Sequence, residues 1–200
     1  MLTQVQNLES ALKKILLLRE QTLADLRCVQ ALQLKNACIA AGYVRNQVWD
    51  YLHGYAVAAP FNDVDVIYYD PEMACESFDR MLETRLKACN PAYKWSVKNQ
   101  ARMHVRNQSA PYAGIEDAMK RWPETATSIG VRLNEHDEME IIAPHGLEDL
   151  FALIIRKSPF FEDNQTFLQR IRDKGWLKRW HRLKLHAQPD ADRIDPCTMI

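Results

Sequence analysis

A-C-I-A-A-G-Y-V-R-N-Q-V-W-D-Y-L-H-G, residues 37–54, followed after a loop by D-V-D-V-I-Y-Y-D, residues 63–70, decides the fold. It predicts a short apolar strand ending at Gly42, a helix carrying Arg45, Asn46, Trp49 and His53 on neighbouring turns, and a second strand opening with Asp63 and Asp65. Side chains alternate along a strand that rises about 3.3 Å per residue, so Asp63 and Asp65 point the same way, roughly 6 to 7 Å apart at the backbone. Val64, Val66 and Tyr68 take the opposite side and face the core. Two carboxylates within about 4 Å repel by about 4 kcal/mol at an effective dielectric near 20. Such a pair must be protonated, splayed or neutralised by a cation. All-oxygen ligation by Asp63 and Asp65 suits Mg²⁺ or Mn²⁺, and Mg²⁺ takes one or two carboxylates while sharing itself with substrate phosphates. A D-x-D in isolation is more often a polar strand edge, so its setting decides.

On the helix, Val44, Val48 and Leu52 form the stripe that docks on the sheet. Arg45 and Asn46 lie in the first turn, where backbone N–H groups and the helix dipole favour an anion. Gly42 supplies the tight strand-to-helix turn. Trp49 reads as core and His53 as a helix-end residue. Asp70, before Pro71, has the wrong parity to join the pair and reads as the N-cap of the next helix. From Thr84 to Ile115 there is no acidic residue, while Arg85, Lys87, Lys94, Lys98, Arg102 and Arg106 are all positive. A metal-triphosphate site needs cations beyond its metal. Across an expected strand over residues 95–104, Lys98, Arg102 and His104 share one face, and Asn99 lies on the other.

The chain has 200 residues, 47% apolar, 26% charged, with a formal net charge of zero, so composition points neither to nucleic acid nor to a membrane partner. No apolar run approaches the roughly 20 residues that span a bilayer, and no signal peptide is visible, so a cytoplasmic location is expected. Cys28, Cys38, Cys75, Cys89 and Cys197 are scattered without C-x-x-C spacing and are expected to be reduced thiols. Residues 1–35 read as packing helices, 36–158 as the core, 159–186 as a helical lid closing a single domain, and 187–200 as a loose tail. In the lid, Trp176 and Trp180 are interleaved with Lys174, Lys178, Arg179, Arg182 and Lys184.

The small-residue turn Ala40-Ala41-Gly42, the helix start Val44-Arg45-Asn46 and the strand with Asp63-x-Asp65 together resemble the polymerase-β-type nucleotidyltransferases. More narrowly, A-G-Y-V-R-N-Q-V-W-D-Y-L-H-G, N-D-V-D-V-I-Y-Y-D, W-S-V-K-N-Q-A-R-M-H, W-P-E-T-A-T-S-I-G-V-R-L and I-I-A-P-H-G-L-E-D-L-F are similar to a family of small bacterial nucleotidyltransferase-like proteins, over residues 36–180. The resemblance implies an α+β fold, a small mixed sheet with helices packed on it and helical N- and C-terminal segments. It implies that Asp63 and Asp65 hold the metal, that Gly42, Arg45 and Asn46 cradle an NTP, and that Lys98 or Arg102 faces the departing pyrophosphate. Members of the wider superfamily usually carry a third carboxylate on a later strand. Here that strand carries Asn99, and Glu140, or failing it Glu138, is the other candidate, on a strand over residues 138–143 that pairs with 129–133. The expected activity is transfer of a nucleoside monophosphate from an NTP to a hydroxyl or phosphate acceptor of unspecified identity. A sensor that binds nucleotide without turnover, and a protein-interaction module of the toxin and antitoxin kind, are the alternatives.

Overall fold

The computed structural model describes residues 2–55 and 63–186, and side chains from residue 6 onward. The loop over 56–62, the tail over 187–200 and Cys197 lie outside the described residues.

Two amphipathic helices open the chain, α1 (Leu2–Leu17) and α2 (Gln21–Gln30). Leu12 and Leu16 of α1 and Leu26 of α2 are buried at helical spacing, so apolar stripes form both helices. Strand β1 (Cys38–Ala40) runs into α3 (Gly42–Leu52), and β2 (Asp63–Tyr68) into α4 (Glu76–Cys89). Strand β3 (Lys94–Asn99) is followed by α5 (Gln100–Arg106) and α6 (Ile115–Lys120). A 3-10 turn (Thr125–Thr127) leads into the hairpin of β4 (Gly130–Leu133) and β5 (Met139–Ile142). The chain closes with α7 (Glu148–Phe151), β6 (Ile154–Arg156), α8 (Asn164–Lys174), α9 (Trp176–Arg179) and β7 (Lys184–His186).

Five strands make one mixed sheet in the order β3-β2-β1-β4-β5, and β6 and β7 form a separate two-stranded sheet. Strand β1 is antiparallel to both β2 and β4, whereas β2 and β3 are parallel. The fold is therefore α+β with a mixed sheet, as expected. Val64, Val66 and Tyr68 are fully buried in a core that runs from Leu12 of α1 to Leu183 before β7, and includes Val44, Val48 and Trp49 of α3. Ile67, on the aspartate side of β2, is covered by Met119 of α6. The aspartate pair thus occupies the uncovered beginning of a strand whose remaining positions are packed on both sides.

Several expectations are corrected. Residues 95–104 are not one strand: β3 stops at Asn99, whose side chain accepts from the Ala101 N–H and caps α5. Polar alternation fits a strand, but an N-cap followed by Q-A-R-M-H-V-R fits a short helix as well, and the cap decides. Asp70 does not cap α4, which starts six residues later; its carboxylate instead accepts from the Glu72 N–H in a local turn. A helix expected after Pro144-His145-Gly146, with Leu147, Leu150, Phe151 and Ile154 as its apolar stripe, is a single turn, because Leu153 takes a positive φ of 57° and the chain continues as β6, which includes Ile154. Cys28 and Cys89 are joined by a disulfide that ties α2 to the end of α4 across a Cα separation of 6.2 Å. Only three-dimensional proximity reveals that pairing, since 61 positions separate the two residues. Cys38 is buried, which pushes its thiol up to about 12, and Cys75 is exposed.

Candidate active site

Register builds the site. Ala40 pairs with Asp65 across β1 and β2, so the turn at Ala41 and Gly42 is set beside the two aspartates. Asp63 and Asp65 pair with Lys94 and Ser96 on the parallel neighbour β3, and Ile67 with Lys98, so these side chains share one face of the sheet. The result is a cavity of about 860 Å³ between this face, the start of α3 and the α8–α9 segment.

The turn itself is strained. Ala41 sits at φ 56° and ψ −120°, a region that suits glycine. Its N–H donates to the Ile129 carbonyl, and its carbonyl accepts from the Arg45 N–H, so sheet and helix hold the conformation from both sides. Gly42 leaves open space in front of the helix. A Cβ there would lie 3.7 Å from both Arg45 Nη2 and Asn46 Nδ2.

Arg45 is almost fully buried, at 5% exposure. Its Nη1 donates to Thr127 Oγ1 at 2.7 Å and its Nη2 to Asn46 Oδ1 at 2.9 Å. The guanidinium stacks between Trp49 and Trp176, at 5.1 and 4.2 Å from the ring centroids. Burial pulls its pKa down to about 10, against the supporting charge of Glu124. The W-P-E-T-A-T stretch therefore braces the cation: Thr127 bonds Arg45, and buried Glu124 accepts from Arg170 Nε at 2.7 Å.

Burial raises the pKa of the Asp65 carboxyl, and the charge of Asp63 raises it further. Arg45, Lys174 and a hydrogen bond from Ser96 pull the other way. Lys94 Nζ lies 3.4 Å from Asp63 in an exposed ion pair. Two oxygen-only ligands on one strand face, with one carboxyl destabilised by the other, fit a divalent cation. Among the described residues, no third His, Cys, Asp or Glu completes a cluster with them.

Of the remaining candidates, Lys98 lines the cleft and Arg102, Asn99, Glu140 and Glu138 do not. Lys98 lies on its wall, but its Nζ is 3.1 Å from Glu83 of α4. Arg102 does not reach the cleft; it pairs with buried Asp79, which also accepts from Tyr68 Oη. Asn99 faces away as well, with its amide donating to the Asp70 and Met73 carbonyls. Glu140 is on β5, the opposite edge of the sheet, paired with Arg132 at 2.8 Å, and the strand order keeps Glu138 at that same far edge. His53 ends α3 with Nδ1 2.7 Å from the Trp49 carbonyl. Glu83, Arg170, Lys174 and Arg179 line the cavity without having been expected there. The alternation of tryptophans and cations from 174 to 184 marked the segment, but only packing shows that Trp176 and Trp180 meet Trp49, at 5.6 and 5.1 Å.

Residues 27–185 match the model of a family described as nucleotidyltransferase. A solved structure described as revealing a CCA-adding enzyme head domain is 33% identical, covers 88% of this chain and 96% of its own, and superposes with a TM-score of 0.77. A tRNA-processing enzyme is 22% identical over 81% of this chain and 43% of its own, with a TM-score of 0.51. The Thermotoga maritima CCA-adding enzyme complexed with tRNA is 15% identical over 88% and 42%, with a TM-score of 0.54. These last two share the fold, and the chain spans less than half of their length. No curated protein matches the sequence.

Proposed function

The chain belongs to the nucleotidyltransferase family, and from that premise we propose that it transfers a nucleoside monophosphate from an NTP to a hydroxyl or phosphate acceptor. The observation that carries the proposal is the pairing of Ala40 with Asp65, which sets a glycine turn and a helix start against two like-facing carboxylates in one open cleft. A helix start with free N–H groups binds phosphate, and the absent side chain of Gly42 lets the phosphate approach. Arg45, held rigidly by Thr127, Asn46 and two indoles, offers a preorganised positive charge there. Asn46 presents its amide beside it, and Lys98 faces the same space from β3.

Asp63 and Asp65 would hold Mg²⁺ or Mn²⁺. Bound there, the cation supplies neutralisation of the triphosphate and polarisation of its α-phosphoryl group. The protein's own share is positioning: the cradle fixes the donor, and the open side of the cleft admits an acceptor in line with it. The relative described as a CCA-adding enzyme head domain makes an RNA 3′-hydroxyl one acceptor to include in the assay.

The test is pyrophosphate release from each of the four NTPs with Mg²⁺ or Mn²⁺, in the presence of a panel of acceptors that includes tRNA. Release that follows one acceptor and vanishes in Asp63→Asn and Asp65→Asn supports transfer. One observation favours the sensor as a second possibility. Among the described residues, the two further carboxylates on the cleft wall are both committed, Glu83 to Lys98 and the Val97 N–H, and Asp50 to Arg179 and Trp180 Nε1, so neither is free to act as a general base. Metal-dependent NTP binding with no product from any acceptor would select that alternative.

A further inference from the structure

Most cations around the cleft already have a partner. Lys94 faces Asp63, Lys98 faces Glu83, Arg179 contacts Asp50 at 3.2 Å, and Arg170 is bound by Glu124. Arg45 is fixed by Thr127 and Asn46. Lys174 is different. It is exposed, lines the cavity, and has no ion pair or hydrogen bond among the described residues, while its charge is felt by the Asp65 carboxyl.

Its backbone, by contrast, is anchored on both sides. One turn earlier on the same face of α8, Arg170 is held by Glu124. On the other side, Gly175 at φ 60° ends α8 and turns the chain directly into Trp176, which is buried against Trp49 and Arg45. An anchored backbone carrying an uncommitted ammonium, across the cavity from the carboxylate pair and the helix start, suits a ligand that brings several negative charges.

We propose that Lys174 is a phosphate clamp contributed by the C-terminal segment, engaging the terminal phosphates of the nucleotide and making the site selective for triphosphates. This rests on the nucleotide-binding assignment of the cleft. The α8–α9 segment is then part of substrate recognition as well as a lid.

The test is calorimetric binding of each of the four nucleosides as tri-, di- and monophosphate, with Mg²⁺, to the full chain and to Lys174→Ala and Lys174→Arg. Loss of one charge-assisted contact predicts about tenfold weaker NTP binding in Lys174→Ala, NMP binding within twofold of the parent, and recovery in Lys174→Arg. Unchanged melting of Lys174→Ala without ligand is expected from an exposed side chain. Equal weakening of NTP and NMP, or no weakening of either, overturns the clamp while leaving the cleft a nucleotide site. A parent protein that binds none of the twelve nucleotides overturns the nucleotide assignment itself, and the clamp with it.

Discussion

The Arg45 guanidinium stacks on the Trp176 ring at 4.2 Å, and this contact joins the helix after the glycine turn to the C-terminal segment. A cation on an indole face gains about 0.5 to 2 kcal/mol, depending on its desolvation. Trp176 is also part of the core, so Trp176→Ala is expected to cost about 3 to 5 kcal/mol and to loosen both walls of the cleft. Trp176→Leu should retain more of the packing and lose the stacking. Its expected signature, read by calorimetry, is NTP affinity reduced several-fold with a smaller drop in melting temperature than Trp176→Ala.

The turn at Ala41 and Gly42 separates stability from binding. Ala41→Gly relieves a positive φ and is expected to raise stability by about 1 kcal/mol with binding unchanged. Gly42→Ala meets only ordinary van der Waals contacts at 3.7 Å, so melting should stay within about 2 °C of the parent. The new methyl occupies the approach to the cradle, and nucleotide affinity should fall at least about tenfold. Paired melting and binding measurements on the two variants check both statements.

Much of this was legible in the sequence. Strand alternation placed Asp63 and Asp65 together and Val64 and Val66 in the core, because one face of β2 is fully buried and a one-residue slip would invert it. The helix over 42–52 followed from its apolar stripe. Arg102 and Asn99 were not legible. Their placement depends on β3 ending at Asn99 instead of running on to residue 104, a choice made by a single cap, and on Asp79, whose buried charge needs a cation from elsewhere in the chain. Lys174 and Glu83 depend on how distant helices dock, which residue spacing does not encode.

Arg102 consequently belongs to stability. Asp79 is fully buried and Arg102 is its cation, so Arg102→Ala strands a charge and is expected to destabilise by about 3 to 5 kcal/mol. NTP affinity, measured below the lowered melting transition, should be unchanged. Lys98→Ala should reverse that pattern, with a small effect on stability and a loss of affinity.

Asp65 predicts a pH dependence. Burial and Asp63 raise its pKa in the folded protein, so the native state holds a proton that the unfolded chain has already released. Its contribution to stability is most favourable below the unfolded carboxylate pKa, near 3.9, and declines as pH rises through the raised folded value. At neutral pH the ionised pair is therefore a liability in the absence of metal. Asp65→Asn is expected to melt higher than the metal-free parent at pH 7, with the difference shrinking toward pH 4, while metal binding is lost. Melting curves across that range check the sign.

The most direct measurement is thermal unfolding with each of the four NTPs, with and without Mg²⁺ or Mn²⁺, on the parent and on the Asp63→Asn, Asp65→Asn double variant. A ligand at about 100 times its dissociation constant stabilises by roughly 2.7 kcal/mol, which at this size is a shift on the order of 5 to 10 °C. A metal-dependent shift with at least one NTP, absent in the double variant, is the predicted result. No shift with any NTP and either metal would contradict the assignment of the cleft to a metal-nucleotide site.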